Sequence, residues 1–403
     1  MTAAHYDYII AGAGASGLSL AYHLVNAGLG DKRILLLDRA PKTQNDRTWC
    51  FWEVGESPFE SVVFRRWDKV WFHGKGFSEC LDIRPYTYKM LRGIDFYRFM
   101  QDWLEQQPNI TLNYGNIQQI QDSGEGARVV LDGETYRAHW VFSSLYKPTP
   151  PRPGFHHLLQ HFKGWVIEAA KPVFDPTRAT FMDFRVEQQG QTRFTYVLPF
   201  DTRRALVEYT VFSPELLKPE EYDAGLRQYI SQYLSLSPEP GNRNPEPYKI
   251  LEQEFGIIPM TDTPFVLQQS PHVLNIGTAG GRTKASTGYT FERIQQQSRR
   301  IAQSLRATGQ PFSLPSFNRY AWFDSVLLDV LTYHRNPGKE VFSDLFRHNP
   351  PQRVLKFLDE QTALAEDWFI MRSVNLPAFA RGALEVLRHR LFGPLIGGQR
   401  VES

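Results

Sequence analysis

The alternation of apolar and polar residues predicts a βαβ unit at the start of the chain, strands in the middle and helices at the end. Residues 6–11, YDYIIA, read as a short buried strand. Over residues 15–26, Leu18, Leu20, Ala21, Leu24 and Val25 recur as in a helix packed on a sheet. A second strand, residues 33–37, runs into Asp38. Residues 41–90 interrupt this regularity with an aromatic insertion, PKTQNDRTWCFW at its head, which reads as loop-rich up to a helix beginning near Asp95. Residues 204–212 alternate as a strand, residues 273–276 read as a buried strand, and residues 291–306 as a long helix. Three apolar helical stretches close the chain, at 322–331, 354–371 and 376–392. In the last, Leu376, Ala380, Ala383, Leu384, Leu387 and Leu391 share one face, with Arg381, Glu385 and Arg388 opposite. Such a helix packs on a core or lies in the plane of a bilayer surface. Pro-rich stretches at 148–153 and 238–247 read as connections, and there are no repeats.

Between the first strand and helix sits Gly12-Ala13-Gly14-Ala15-Ser16-Gly17. Gly12 permits a tight turn, Gly14 lets backbone approach a pyrophosphate, and Gly17 allows close packing of a helix whose N-terminus offers amides and a positive dipole. Asp38 follows the last glycine by about 20 residues, the spacing at which a carboxylate takes ribose hydroxyls. An acid there favours FAD or NAD over a 2′-phosphorylated dinucleotide. A second glycine-rich segment, Gly277 to Tyr289, follows the strand at 273–276 and opens the helix at 291. Its Gly277, Gly280, Thr287 and Gly288, with the helix N-terminus, are placed for the pyrimidine edge of a flavin. The interrupted nucleotide domain resembles the glutathione-reductase-type FAD fold. In that fold an Arg after the second strand commonly lies along the pyrophosphate, and Arg47 occupies that place or the surface. Proteins of that class often carry Gly-Asp in the second segment; here it is Gly277-Thr278.

Composition narrows the partners. Across 403 residues, 45 basic and 43 acidic side chains leave a formal charge of +2, so no strong overall field draws in nucleic acid or anionic lipid. Two cysteines, Cys50 and Cys80, make neither a disulfide framework nor a metal cluster, and read as reduced thiols of a cytosolic protein. The one long apolar stretch, residues 8–25, contains three glycines and two serines and follows Asp7, which excludes a signal or a span. Aromatic residues are abundant at 14%. They fill a core, and some can offer π faces to a cation.

Taken in order, a set of short runs resembles the lycopene cyclases, especially the bacterial and plant β-cyclases. They are DRTWCFW at 46–52, GWVIE at 164–168, FDP at 174–176, FMD at 181–183, FTYVLP at 194–199, LVEYT at 206–210, GIIP at 256–259 and STGY at 286–289. The resemblance implies a redox-neutral isomerisation in which an acid protonates the terminal double bond of linear lycopene. A neighbouring double bond attacks the tertiary cation, and loss of a ring proton leaves a β-ionone ring. It implies a flavin that must be reduced but is not consumed, with NAD(P)H as the priming reductant. Glu208 matches the catalytic acid of the family's motif, while Tyr209 stands where a second acid is usual. Burial would hold the Glu208 carboxyl protonated, as a donor requires. The proton acceptor is open between the reduced flavin, Asp183 and Glu168. Trp49, Phe51, Trp52, Trp165 and Tyr196 are the aromatic candidates for the cation.

The expected architecture is therefore an α/β flavoprotein. Residues 1–90, 91–150 and 255–310 form a discontinuous FAD domain. Residues 151–254, with part of 41–90, form a mixed or antiparallel sheet for the substrate, and 311–403 a helical region. The expected partners are a linear carotenoid and a lipid surface, with no nucleic acid or metal, in a cytoplasmic protein peripheral to the inner face of the membrane. Two rival readings share the sequence features: a redox flavoenzyme on a lipophilic substrate, such as a monooxygenase or polyprenyl reductase, and a non-catalytic lipophile carrier.

Overall fold

The first apolar run forms the strand His5–Ala11, flanked by parallel strands Ile34–Asp38 and Glu134–Ser143 in a computed structural model that describes residues 5–148, 150–236, 247–311 and 318–396. Ile110–Tyr114 and Val273–Asn275 extend this sheet in parallel on its two sides. Its central residues Ile9, Ile10, Leu35 and Leu36 are fully buried, as expected where helices cover a parallel sheet. The helix Ala15–Leu24 packs beside the long helix Phe291–Thr308, their contact including Leu20, Leu24, Ile301 and Leu305. Residues 25–29 continue the first helix as a wider turn ending near Gly28.

A second, seven-stranded sheet runs in the order Tyr248–Thr261, His157–Ala169, Arg204–Ser213, Thr192–Pro199, Ala179–Asp183, Lys69–Gly74, Phe77–Asp82. All its pairs are antiparallel except that of Ala179–Asp183 with Lys69–Gly74. Its two faces bury different cores. Val207, Tyr209 and Val211 pack with Trp165 under the helix Pro219–Tyr233. Leu206 and Phe212 point the other way, toward a three-stranded sheet and the C-terminal helices. Period-two alternation along one strand thus divides two chemical environments.

The insertion at 41–90 departs from the loop-rich expectation. It forms strands Thr48–Val54, Arg65–Trp67, Lys69–Gly74, Phe77–Asp82 and Tyr86–Arg92, the first, second and last making the three-stranded sheet. Its aromatic residues alternate sides: Trp49 and Phe51 pack with Phe291 toward the nucleotide sheet, and Trp52 packs with Phe181 in the other core. The seven-stranded sheet also reaches past the segment expected for it, to Thr261.

The C-terminal region contains helices Arg319–Thr332, Gly338–His348, Pro351–Leu358, Leu364–Ser373 and Leu376–Ile396. The expected single helix at 354–371 is broken because a new N-terminus forms: Glu366 accepts from the Ala363 amide at 2.9 Å, and Glu360 turns the chain at a φ of 63°. In the last helix the apolar stripe faces outward. Ala378, Gly382 and Val386 are buried, Gly382 lying beside Asp329 and Val330, while Leu376, Leu384, Leu387 and Leu391 are exposed. Leu364, Trp368 and Phe369 of the preceding helix are exposed as well. No helix among the described residues is long and apolar enough to cross a membrane. Most of the Pro-rich segment at 238–247 lies outside the described residues.

Candidate active site

Glu208 and Glu254 stand on strands separated by His157–Ala169, and both are paired with the same residue of that strand, Gly164. Strands lie about 4.8 Å apart, so the two backbones are roughly 10 Å from each other. A Cβ at position 164 would lie 2.9 Å from Glu254 Cγ, 2.9 Å from Leu206 Cδ1 and 3.1 Å from Glu254 Oε1. Because Gly164 has no side chain, the glutamates bend over it and their carboxyls form a hydrogen bond. Each lies deep in the protein yet keeps accessible surface, as a group lining an internal space does.

Neutral hydroxyls hold the outer oxygens. Thr210 Oγ1 donates to Glu208 Oε1 at 3.0 Å, and Thr48 Oγ1 donates to Glu254 Oε2 at 2.8 Å. Loss of hydration pushes both carboxyls above the ordinary range. The neighbouring charge of Glu254 pushes Glu208 further, so that it is raised well above its usual value. Two coupled carboxyls without a cation to neutralise them share a proton. Glu254 Oε1 is buried and without a donor unless Glu208 carries that proton.

Aromatic rings form the wall in front of the pair. Tyr196 is the cross-strand neighbour of Glu208, and its hydroxyl lies 3.4 Å from that of Tyr289. Trp52 meets Tyr289 at 4.5 Å between ring centres, and Phe181 meets Tyr88 at 5.2 Å. Burial raises the phenols of Tyr88, Tyr196 and Tyr289 and the Cys50 thiol, so all remain neutral donors. The wall presents π faces, a setting that attracts a cation.

The other sequence candidates separate. Asp183 lies on the opposite face, where Tyr229 donates to it at 2.7 Å and Arg185 pairs with it at 2.5 Å. A register irregularity between Thr180 and Asp183 turns the carboxylate to that side, away from Glu208. Tyr209 also faces that side and accepts from Arg193 at 3.3 Å, beside a cavity of about 290 Å³ under the helix. Trp165 stacks there beneath Arg227. Glu168 sits at the strand end opposite Arg204, and Trp49 and Phe51 belong to the nucleotide core. Glu254, Tyr88, Phe181 and Tyr289 are the members that sequence reasoning missed. GIIP begins two residues after Glu254, but only strand pairing brings that glutamate to Glu208.

The nucleotide residues gather at the other end of the same region. Gly12 has a φ of 107°, and a Cβ at Gly17 would strike the Gly12 carbonyl, so both positions require glycine for this turn and close approach. A Cβ at Gly14 would meet nothing within 4 Å, which leaves open space above the helix N-terminus. That helix has no side-chain cap, nor has the helix starting at Phe291. Asp38 Oδ2 accepts from the Ala13 amide at 2.7 Å, and Thr287 Oγ1 is buried without a partner. These amides, the open space and the unsatisfied hydroxyl fit a dinucleotide. Arg47 is exposed beside Asp46. Gly277 packs on Ser16 of the first helix, Gly280 closes a turn with Ile276, and Gly288 packs on Gln160 of the seven-stranded sheet. The segment from Gly277 to Tyr289 therefore bridges the nucleotide turn and the aromatic wall.

The sequence model of the family described as lycopene cyclase protein matches residues 7–384. A lycopene beta-cyclase from Pantoea ananas is 27% identical over 306 residues, 71% of this chain and 71% of that protein. A chloroplastic neoxanthin synthase from Solanum tuberosum is 23% identical over 325 residues, 75% of this chain and 61% of the plant protein. Among solved structures, a flavoprotein/dehydrogenase from Cytophaga hutchinsonii superposes with a TM-score of 0.60 at 11% identity, covering 96% of this chain and 100% of that one. A geranylgeranyl bacteriochlorophyll reductase-like protein from Thermoplasma acidophilum gives 0.56 at 11% identity, covering 97% and 99%. At such identities the likeness is one of fold: a glutathione-reductase-type α/β arrangement with an inserted mixed sheet and a helical C-terminus.

Proposed function

Because the chain belongs to the lycopene cyclase family, whose members cyclise carotenoids, we propose that it closes the ends of lycopene into β-ionone rings without net redox change, with Glu208 as the acid. The observation that carries this reading is the buried carboxyl pair facing an aromatic wall. A terminal alkene is a weak base, and its protonation requires a proton held ready in a water-poor space beside groups that tolerate a carbocation. Glu208 supplies the proton, while Trp52, Tyr196 and Tyr289 offer π faces to the cation.

The cofactor in this reading is FAD, with Gly12, Gly14 and Gly17 around the pyrophosphate, Asp38 toward the ribose, and Gly277, Gly280, Thr287 and Gly288 toward the flavin ring. Bound in its reduced form, primed by NAD(P)H, the flavin would supply negative charge beside the cation. Arg47, exposed beside Asp46, is assigned to the pyrophosphate in this reading. The placement of Asp183 behind the sheet favours a proton acceptor on the flavin side. The outward leucines of the last helix support peripheral attachment to the cytoplasmic face of a membrane, where a hydrocarbon substrate dissolves.

Anaerobic incubation with lycopene and dithionite-reduced FAD, followed by chromatography of the pigment, tests the reading. Product of unchanged mass, with NAD(P)H used only to reduce the flavin, is expected. Stoichiometric NAD(P)H consumption would instead identify a redox flavoenzyme, and bound pigment without ring formation a carrier.

A further inference from the structure

We propose that Glu254 is the proton-loading partner of Glu208: it receives a proton from a water-sized pocket behind it and passes it to Glu208, resetting the donor after each ring closure. The inference rests on the cyclase reading, in which Glu208 gives up a proton in every cycle.

Three independent features carry it. The gap at Gly164 brings carboxyls from non-adjacent strands into direct contact, which any side chain at that position would obstruct. Glu254 Oε1 has no donor other than a protonated Glu208. Glu254 also lines a cavity of about 20 Å³ with Asn45, Thr48, Arg92, Glu252 and Gln253, enough for one water. Glu252 and Gln253 are exposed, so this cavity lies toward the surface. Glu208 lies on the other side of Glu254, toward Tyr196.

The groups facing the pair are suited to such a path. Cys50, Tyr88, Tyr196 and Tyr289 stay neutral, and Thr48 and Thr210 contribute hydroxyls. The other charged groups lining the cavity are Glu252 and Arg92, which is held by Asp95 at 2.6 Å.

The protons balance over one ring closure. The Glu208 O–H bond breaks as the alkene electron pair forms a C–H bond, leaving two carboxylates in contact. A proton from water then bonds to Glu254, and its transfer across the pair restores the Glu208 O–H. The proton lost from the new ring passes through its acceptor to water, so one enters and one leaves.

The test uses the full chain with reduced FAD and lycopene, comparing Glu254→Gln with the unaltered protein. Expected is steady-state turnover slowed about tenfold or more beyond any slowing of the first turnover. A structural role would slow both phases equally, and that result overturns the proposal. Without substrate, infrared spectra after transfer into heavy water report exchange of the buried Glu208 carboxyl proton. Exchange slowed about tenfold in Glu254→Gln is expected, and exchange at the unaltered rate overturns the proposal. Glu254→Asp, which keeps a carboxyl, should restore exchange, and Gly164→Ala, which wedges the pair apart, should slow it. These two variants decide the matter if Glu254→Gln does not fold. If the unaltered protein forms no rings, the cyclase reading fails, while the exchange measurement still decides the role of Glu254.

Discussion

Glu208 and Glu254 touch across a strand that belongs to neither of them, and Gly164 makes that contact possible. A pair of carboxyls in contact, deep in the protein and capped only by threonine hydroxyls, is stable only with a proton between them.

Glu208→Gln should lower cyclisation by about 10²–10⁴-fold, the range for loss of a general acid, with the fold retained. Chromatography of the pigment measures the rate, and circular dichroism the fold.

The same pair sets a pH dependence of stability. Its carboxyls are raised in the folded state, so the folded protein binds more protons than the unfolded chain above the ordinary carboxylate range. The stabilisation is complete below that range and is lost as pH rises toward the raised values. Melting temperature should therefore fall across this interval in the unaltered protein and fall less in Glu208→Gln.

His156 provides a second titration with the same sign. It bridges Asp262 at 3.0 Å and Asp329 at 3.3 Å, and although its burial opposes charge, these carboxylates raise it to about 9. Its contribution is present below the ordinary histidine value and is lost as pH rises through about 9. His156→Ala should cost about 3 kcal/mol at pH 6, as loss of one partner of a buried pair does, and much less at pH 10. Denaturant melts at the two pH values measure the difference.

Gly14 and Gly17 should respond in opposite ways. Gly14→Ala adds a Cβ that meets no protein atom within 4 Å, so stability should hold while FAD affinity weakens by about tenfold or more. Gly17→Ala drives a methyl into the Gly12 carbonyl and should cost about 1–3 kcal/mol even without cofactor. Flavin titration and thermal melts separate the two effects.

The exposed stripe of the last helix should matter for lipid alone. Replacing both Leu384 and Leu387 with Glu should reduce partitioning onto lipid vesicles about tenfold or more without lowering melting temperature. Unchanged vesicle sedimentation would count against peripheral attachment through this helix.

What could be read in the sequence was local. The turn at Gly12, the neighbouring helix and Asp38 lie within one βαβ unit, whose spacing carries its geometry. Glu208 stood out through its alternating run. Glu254 did not, because its role depends on pairing with a strand about 90 residues away. Trp165 could have been assigned by parity alone, since it follows Gly164 and must face the opposite side. Asp183 could not, because an irregularity in pairing changes its parity. Residues 41–90 concealed five strands because these are short and divided between two sheets, although most of them pair with one another. The outward leucines were recognised as a stripe, but its direction depends on Gly382 fitting beside Asp329 and Val330.

The strand carrying Glu254 is the outermost of its sheet and is hydrogen-bonded within the sheet on one side only. Edge segments open more readily than central ones, and Glu208 lies on a strand paired on both sides. Warming should therefore separate the two carboxyls before the molecule melts. Catalysis would then have a thermal ceiling of its own, set by fraying of a single ribbon while the remaining structure stays intact.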